Sequence, residues 1–366
     1  MAKANFSIKV FISILILILF LPSVVKTEEL QFTEIVDGLK HPWGMSFIDP
    51  SNLLVTERGG RLVRIHLPSQ KIFPVSHTLK VLVLRQGGLL DVLYHEGHVY
   101  LSYSEDRGSG ESSTSVVRGK IVNDVLTDVE KLFRAEPPLK PGFHFGSRLV
   151  IQGNFLFISA GERHGGMIAQ DGSKHPGSII RINLDGSIPI SNPHFISKKD
   201  WSPEVYQIGV RNPQGMALSP FDHQVYIVNH GAKGGDFLGK VKFGENYGWE
   251  EIGWGGTNYN GSKIGSGKAS DPRFMKPMRI WIPSIAPSGM AFYQGDTFKE
   301  WDGDVLVGSL KFDMLVKVDM EENQAIGETV IFRDRIGRVR DVEIDHKGDI
   351  YLLADEAYTS LWKLTR

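Results

Sequence analysis

The chain contains no cysteine, so disulfides add nothing to its stability, and burial of apolar side chains, with bound metal as the other candidate, has to supply it. Charge of one sign is lacking as well: 41 Lys and Arg stand against 42 Asp and Glu, a formal net charge of -1. No run of Lys and Arg breaks that balance locally, which excludes the electrostatic footprint of a nucleic-acid binder. Helical periodicity is almost absent beyond residue 30,. Nor is there an apolar run long enough for a confident membrane span. The run over residues 10 to 21 instead follows Lys3 and Lys9 and precedes Pro22 and small or polar residues, the layout of a secretory signal peptide over residues 1 to 27. The expectation is cleavage near Thr27, a bacterial periplasmic or secreted compartment, and no stable membrane insertion afterwards. Because no Ala-x-Ala site follows the run, an uncleaved anchor is the alternative.

What is present is a recurring unit: a Gly or Ser turn, an apolar strand, a polar turn, and a second strand. Copies begin at Trp43, Gly87, Gly146, Gln214, Ser288 and Arg338. Six sheet-forming units, with insertions confined to the connections, predict an all-β, six-bladed β-propeller over about residues 30 to 366. The stretch "LQFTEIVDGL" from Leu30 is expected to add an outer strand to the last blade and close the ring,. A β-sandwich would account for the strands but not for the repeat.

In a propeller the turns that open the inner strands gather at one mouth of the channel. Those turns carry Gln86, His144, Arg211, Asn212, Arg338 and Arg340. Arg338 and Arg340, two apart on a strand, share a face and repel unless an anion lies between them. With Arg211 and Lys311 they would make four cations, a set suited to a small polyanion. Separate solvated partners for these arginines are the plainer alternative. His144 is either a packed, hydrogen-bonded histidine or, with Glu162 accepting from one ring nitrogen, a general base. The glycine-rich stretch from Gly231 to Gly239, with Asp236, can turn carbonyl oxygens toward one point as Ca²⁺ requires, or can simply be a loop,.

Together, "TERGGRLVRI", "QGGLLD", "HFGSRLV", "RNPQGMAL", "NYGW", "APSGMAFY", "GSLK" and "RVRDV" resemble the soluble quinoprotein sugar dehydrogenases of the glucose/sorbosone dehydrogenase family, in family order from about residue 40 onward. The resemblance is nearest to the periplasmic aldose sugar dehydrogenase branch. It implies pyrroloquinoline quinone (PQQ) and Ca²⁺ as cofactors and oxidation of an aldose at C1 to the lactone. By the same resemblance His144 is the base and Glu162 its orienting carboxylate, with Gln86, Phe143 and Trp281 facing substrate. Arg211 lies at the quinone oxygens, and Asn212, Ser284, Lys311, Arg338 and Arg340 lie around the cofactor. Gly231 and Ala232 are implied to hold the catalytic Ca²⁺ through their carbonyls, with Asp236 and Tyr247 at a second, weakened cation site. The three carboxylates of PQQ would account for the cation cluster.

This sequence departs from the family pattern in places. Phe143 stands where glucose-active relatives carry an acid, Ala232 replaces a proline, Phe237 follows Asp236, and Glu250 instead of proline follows Trp249. Two other functions stay open: a Ca²⁺-dependent lactonase-type propeller hydrolase, and a non-catalytic propeller that binds carbohydrate or protein. The electron acceptor is unspecified, and a monomer and a homodimer are equally compatible with the sequence.

Overall fold

Runs in which alternate residues are apolar form strands here because successive side chains leave opposite faces of the backbone, so each face can pack on a different neighbour. The computed structural model describes residues 30–366, and in it these runs form six four-stranded antiparallel sheets. The inner strands are Pro42–Asp49, Leu89–His95, Gly146–Gln152, Pro213–Leu218, Pro287–Phe292 and Val339–Ile344. They neighbour one another in a closed ring, so the sheets are blades one to six of the expected propeller. The only α-helix among the described residues is the single turn Pro193–Ile196.

Blade six takes three strands from the C-terminal part of the chain and its outermost from Gln31–Leu39, which pairs antiparallel with Thr359–Thr365. The closing strand expected at Leu30 is therefore present, with Gln31 opposite Thr365 and Leu39 opposite Thr359. The signal-peptide reading concerns residues 1 to 27, outside the described residues. Among the described residues no helix is long and apolar enough to cross a membrane.

The core is distributed between blades. On the second strand of blade four, Val225 and Ile227 pack with Phe157 and Ile179 of blade three, whereas Tyr226 and Val228 pack with Val305 and Val307 of blade five. The same period of two recurs at every blade interface. Each such aliphatic side chain contributes about 1.5–3 kcal/mol by leaving water.

One position of the inner strands closes the channel. At equivalent places stand Gly44, Asp91, Arg148, Gly215, Gly289 and Asp341. Arg148 is buried and pairs with Asp91 at 3.0 Å and Asp341 at 2.8 Å, while its Nε donates to the Gln214 carbonyl at 2.7 Å. The glycines make room: a Cβ at Gly289 would lie 2.1 Å from an Asp341 carboxylate oxygen. This ion triad floors the upper part of the channel.

Candidate active site

The turn before an inner strand and the turn after the second strand lie at the same end of a blade, because the two strands are antiparallel neighbours. Two cavities open at that end. One, of about 530 Å³, is lined by Trp43, Arg58, Gln214, His230, Lys233, Ser284, Lys311, Arg338, Arg340 and Asp355. The other, of about 510 Å³, is lined by Phe143, His144, Glu162, His164, Arg211, Trp249 and Glu250. Gln86, Ala232 and Tyr259 line both, so the two are lobes of one cleft.

His144 is held from three sides. Its backbone is left-handed, at φ 53°, and its N–H donates to Gln86 Oε1 at 2.8 Å. Its carbonyl oxygen packs against Gly161, where a Cβ would come within 2.1 Å of it. The ring Nδ1 lies 2.5 Å from Glu162 Oε1, and Glu162 Oε2 accepts the Gly166 N–H at 2.8 Å. With both carboxylate oxygens engaged, Glu162 fixes the tautomer that carries its proton on Nδ1 and leaves the Nε2 lone pair free. Burial lowers the His144 pKa below its ordinary 6.5; the Arg211 charge acts in the same direction and Glu162 opposes both. Glu162 also stays below its ordinary value, because His144 and the Gly166 N–H outweigh its burial. The imidazole is thus a neutral acceptor at neutral pH.

Arg211 and Asn212 sit on a turn whose two N–H groups donate to Asn229 Oδ1 at 3.0 and 2.9 Å. Asn212 Oδ1 accepts the Gly146 N–H at 3.0 Å, tying the His144 turn of blade three to blade four. The buried Arg211 guanidinium lies over the Trp249 ring at 5.2 Å and makes no hydrogen bond or ion pair with a described residue.

In the other lobe, Arg58, Lys233, Lys311, Arg338 and Arg340 face a single carboxylate, Asp355. Its Oδ2 lies 2.7 Å from Arg340, 3.4 Å from Arg58 and 3.9 Å from Arg338. The anion required between Arg338 and Arg340 is thus supplied in part by the protein itself. One carboxylate cannot balance five cations, and the buried Nε of Arg340 has no hydrogen-bond partner among the described residues. His230 donates from Nε2 to the Pro287 carbonyl at 2.6 Å, and burial pushes its pKa down to about 3. It therefore faces this charged lobe as a neutral ring.

The carbonyl oxygens of Gly231 and Ala232 accept no hydrogen bond from a described residue, and Ala232 lines both lobes. Asp236 has both oxygens occupied: Oδ1 by the Gly231 N–H at 2.7 Å, Oδ2 by the Ser284 hydroxyl at 2.6 Å and the Ile285 and Ala286 N–H groups at 2.8 Å each. Its role in this geometry is to brace the two loops. The Tyr247 hydroxyl donates to the Lys240 carbonyl at 2.8 Å from within the packed core, away from both lobes. Trp281 also lines neither lobe: strand alternation turns its indole into the interface between blades four and five, where its N–H donates to Glu328 of blade five at 2.7 Å.

Arg58, His230 and Asp355 were not anticipated from the sequence, although a signal for them exists. Stacking the repeats aligns the ends of the second strands, "LLVTER", "FLFISAGE", "VYIVNH", "VLVGSLK" and "IYLLADE". Arg58, His230 and Asp355 then fall beside Glu162 and Lys311.

Comparison with known proteins agrees with this architecture. Residues 39–363 match the family model for glucose/sorbosone dehydrogenase. The chain is 36% identical over 354 residues to the aldose sugar dehydrogenase YliI of Escherichia coli (strain K12), covering 94% of each chain. Its fold superposes on the crystal structure of the soluble aldose sugar dehydrogenase of Escherichia coli in the apo form with a TM-score of 0.86 at 34% identity, covering 92% of this chain and 99% of that one. A PQQ-bound aldose sugar dehydrogenase from Streptomyces coelicolor shares the fold, with a TM-score of 0.76 at 22% identity over 92% of this chain and 98% of its own. With the family model matched over residues 39–363 and a relative 36% identical across 94% of each chain, the chain belongs to the glucose/sorbosone dehydrogenase family, as an oxidoreductase of the aldose sugar dehydrogenase type.

Proposed function

We propose that the protein oxidises the C1 hydroxyl of an aldose to the lactone, using PQQ and Ca²⁺, with His144 as general base. The observation that carries this is the pairing of two unlike lobes in one cleft: five cations with one carboxylate on one side, and a neutral, carboxylate-held imidazole on the other. The residues fit the cofactor. A tricarboxylate would offset three of the four charges by which Arg58, Lys233, Lys311, Arg338 and Arg340 exceed Asp355 and could offer the orphaned Arg340 Nε an acceptor,. The unclaimed carbonyls of Gly231 and Ala232 are hard oxygen donors of the kind Ca²⁺ takes. When bound, PQQ supplies a two-electron acceptor and Ca²⁺ a Lewis acid beside it.

The chain's own residues perform the proton chemistry. His144 Nε2 takes the C1 hydroxyl proton, and Glu162 stabilises the imidazolium that forms. Arg211, whose guanidinium makes no hydrogen bond or ion pair with a described residue, offers its donors to oxygens at the junction of the lobes. Phe143 and Trp249 give the sugar lobe apolar walls that exclude water,. The side-chain carboxylates that a lactonase-type hydrolase brings to its metal have no counterpart, since among the described residues no group of three or more His, Cys, Asp or Glu is placed to hold one. The leader-like composition of residues 1 to 27 supports export to the periplasm,.

The test is reconstitution. Protein mixed with PQQ and Ca²⁺ should reduce an artificial dye when given aldoses, and His144→Ala should take up the cofactor yet lose ~10²- to 10⁴-fold in turnover, the usual contribution of a positioned base. Turnover at the wild-type level in that variant would remove the base assignment.

A further inference from the structure

Of the charged groups in the sugar lobe, Glu250 is the one the reaction leaves unused. It is half-buried, lines the lobe with His144 and Arg211, and makes no hydrogen bond or ion pair with a described residue. Its carboxylate lies close against Gly166, where an added Cβ would come 2.3 Å from Glu250 Oε2. Two carboxylates therefore flank Gly166, but Glu162 spends both oxygens on His144 and the Gly166 N–H. Across the lobe, Phe143 offers an aromatic wall braced by Arg85 at 5.0 Å and His164 at 5.8 Å, with no acceptor for a sugar hydroxyl.

We infer that Glu250 is the substrate-positioning carboxylate of this enzyme, accepting hydroxyl or ammonium protons from the sugar and selecting neutral and amino aldoses over uronic acids. An unpaired, partly desolvated carboxylate repays its desolvation only when a donor reaches it, and a sugar that fills the lobe brings several. A carboxylate-bearing sugar brings a like charge instead and is disfavoured. The groups facing Glu250 are Glu162, His164 and Arg211. Burial and the Glu162 charge raise its pKa, whereas Arg211 and His164 lower it. The assignment rests on the dehydrogenase reading, in which Arg211 is occupied at the quinone and Glu250 remains the uncommitted charge beside the sugar.

The experiment uses the reconstituted holoenzyme with glucose, glucosamine and glucuronate, reading KM and kcat separately. Wild type should show its lowest KM for glucosamine and its highest for glucuronate. Glu250→Gln should raise the glucosamine KM roughly tenfold, the value of one hydrogen bond to a charged group, and lower the glucuronate KM, with kcat little changed. Glu250→Asp should keep the wild-type order. Glucosamine and glucuronate KM values in Glu250→Gln that stay within twofold of wild type overturn the inference. If wild type takes up no PQQ and oxidises none of the three sugars, the dehydrogenase reading has failed and this inference falls with it. Activity on glucose with an indifferent panel sinks the Glu250 role alone.

Discussion

Replacing Glu162 by Gln keeps the shape of the side chain and removes its ability to satisfy two donors at once. In the wild type one oxygen meets His144 Nδ1 at 2.5 Å and the other meets the Gly166 N–H at 2.8 Å. If the amide oxygen of Gln stays on Nδ1–H, its NH₂ faces the Gly166 N–H, donor against donor. If the amide flips, Nδ1 must become an acceptor, and the imidazole proton moves to Nε2, the atom that has to be bare to take the sugar proton. Either arrangement forfeits one charge-assisted hydrogen bond, about 1.5–3 kcal/mol, which at ~1.4 kcal/mol per decade is roughly a 10- to 150-fold fall in kcat. The pH profile carries an independent sign. His144 is already below its ordinary 6.5, and Glu162 is the partner that raises it against burial. The wild-type acid limb of kcat/KM should therefore lie below pH 6.5, and in Glu162→Gln it should move further toward acid. Steady-state dye reduction between about pH 4 and pH 8, with PQQ uptake measured alongside, reads both effects. A kcat within twofold of wild type, or an acid limb that stays where it was, would refute the reasoning from geometry to base.

Two further outcomes follow from the site. The double variant Arg338→Ala, Arg340→Ala should weaken PQQ uptake by one to two orders of magnitude, since each charge-assisted contact is worth about 1.5–3 kcal/mol and Asp355 absorbs part of it; fluorescence titration reads this, and unaltered uptake would disprove the cationic lobe as the cofactor site. Gly161→Ala places a methyl 2.1 Å from the His144 carbonyl oxygen, so the turn must shift, with a stability loss of about 1–3 kcal/mol and a kcat reduced more than PQQ affinity; thermal melting and kinetics together check it, and a fully active, equally stable variant would contradict the close packing.

Much of this molecule could be read before it was folded, and the limits have physical causes. The period of two in "VYIVN" fixes which side chains face which blade, and its recurrence with "LLVTE" and "IYLLA" announces the repeat,. The turns before the inner strands were legible because polar residues stand where a plain turn would not need them, as at His144 and Arg211. Asp355 was not legible as the partner of Arg340, since the two meet only when a hairpin folds back at the channel mouth. Trp281 was put at the substrate by the family resemblance alone, and the strand Arg279–Trp281 turns its indole away from the cleft that Ser284, three residues on, lines. Glu250 and Tyr259 belong to an insertion over residues 241 to 278, where no periodicity constrains position and only tertiary packing brings them to the cleft.

The way blade six is assembled has a consequence for the order in which the protein can form. Its outermost strand, Gln31–Leu39, is made early, yet it pairs with Thr359–Thr365, and Glu34 accepts from the Ser360 hydroxyl 326 positions away. On the ribosome the nascent chain can complete five blades while both ends of the ring still present bare backbone to other polypeptides. Those two seams are joined in one late event, once the C-terminal residues emerge. Loss of Thr359–Thr365 alone would thus remove the fastening of the whole circle along with one strand.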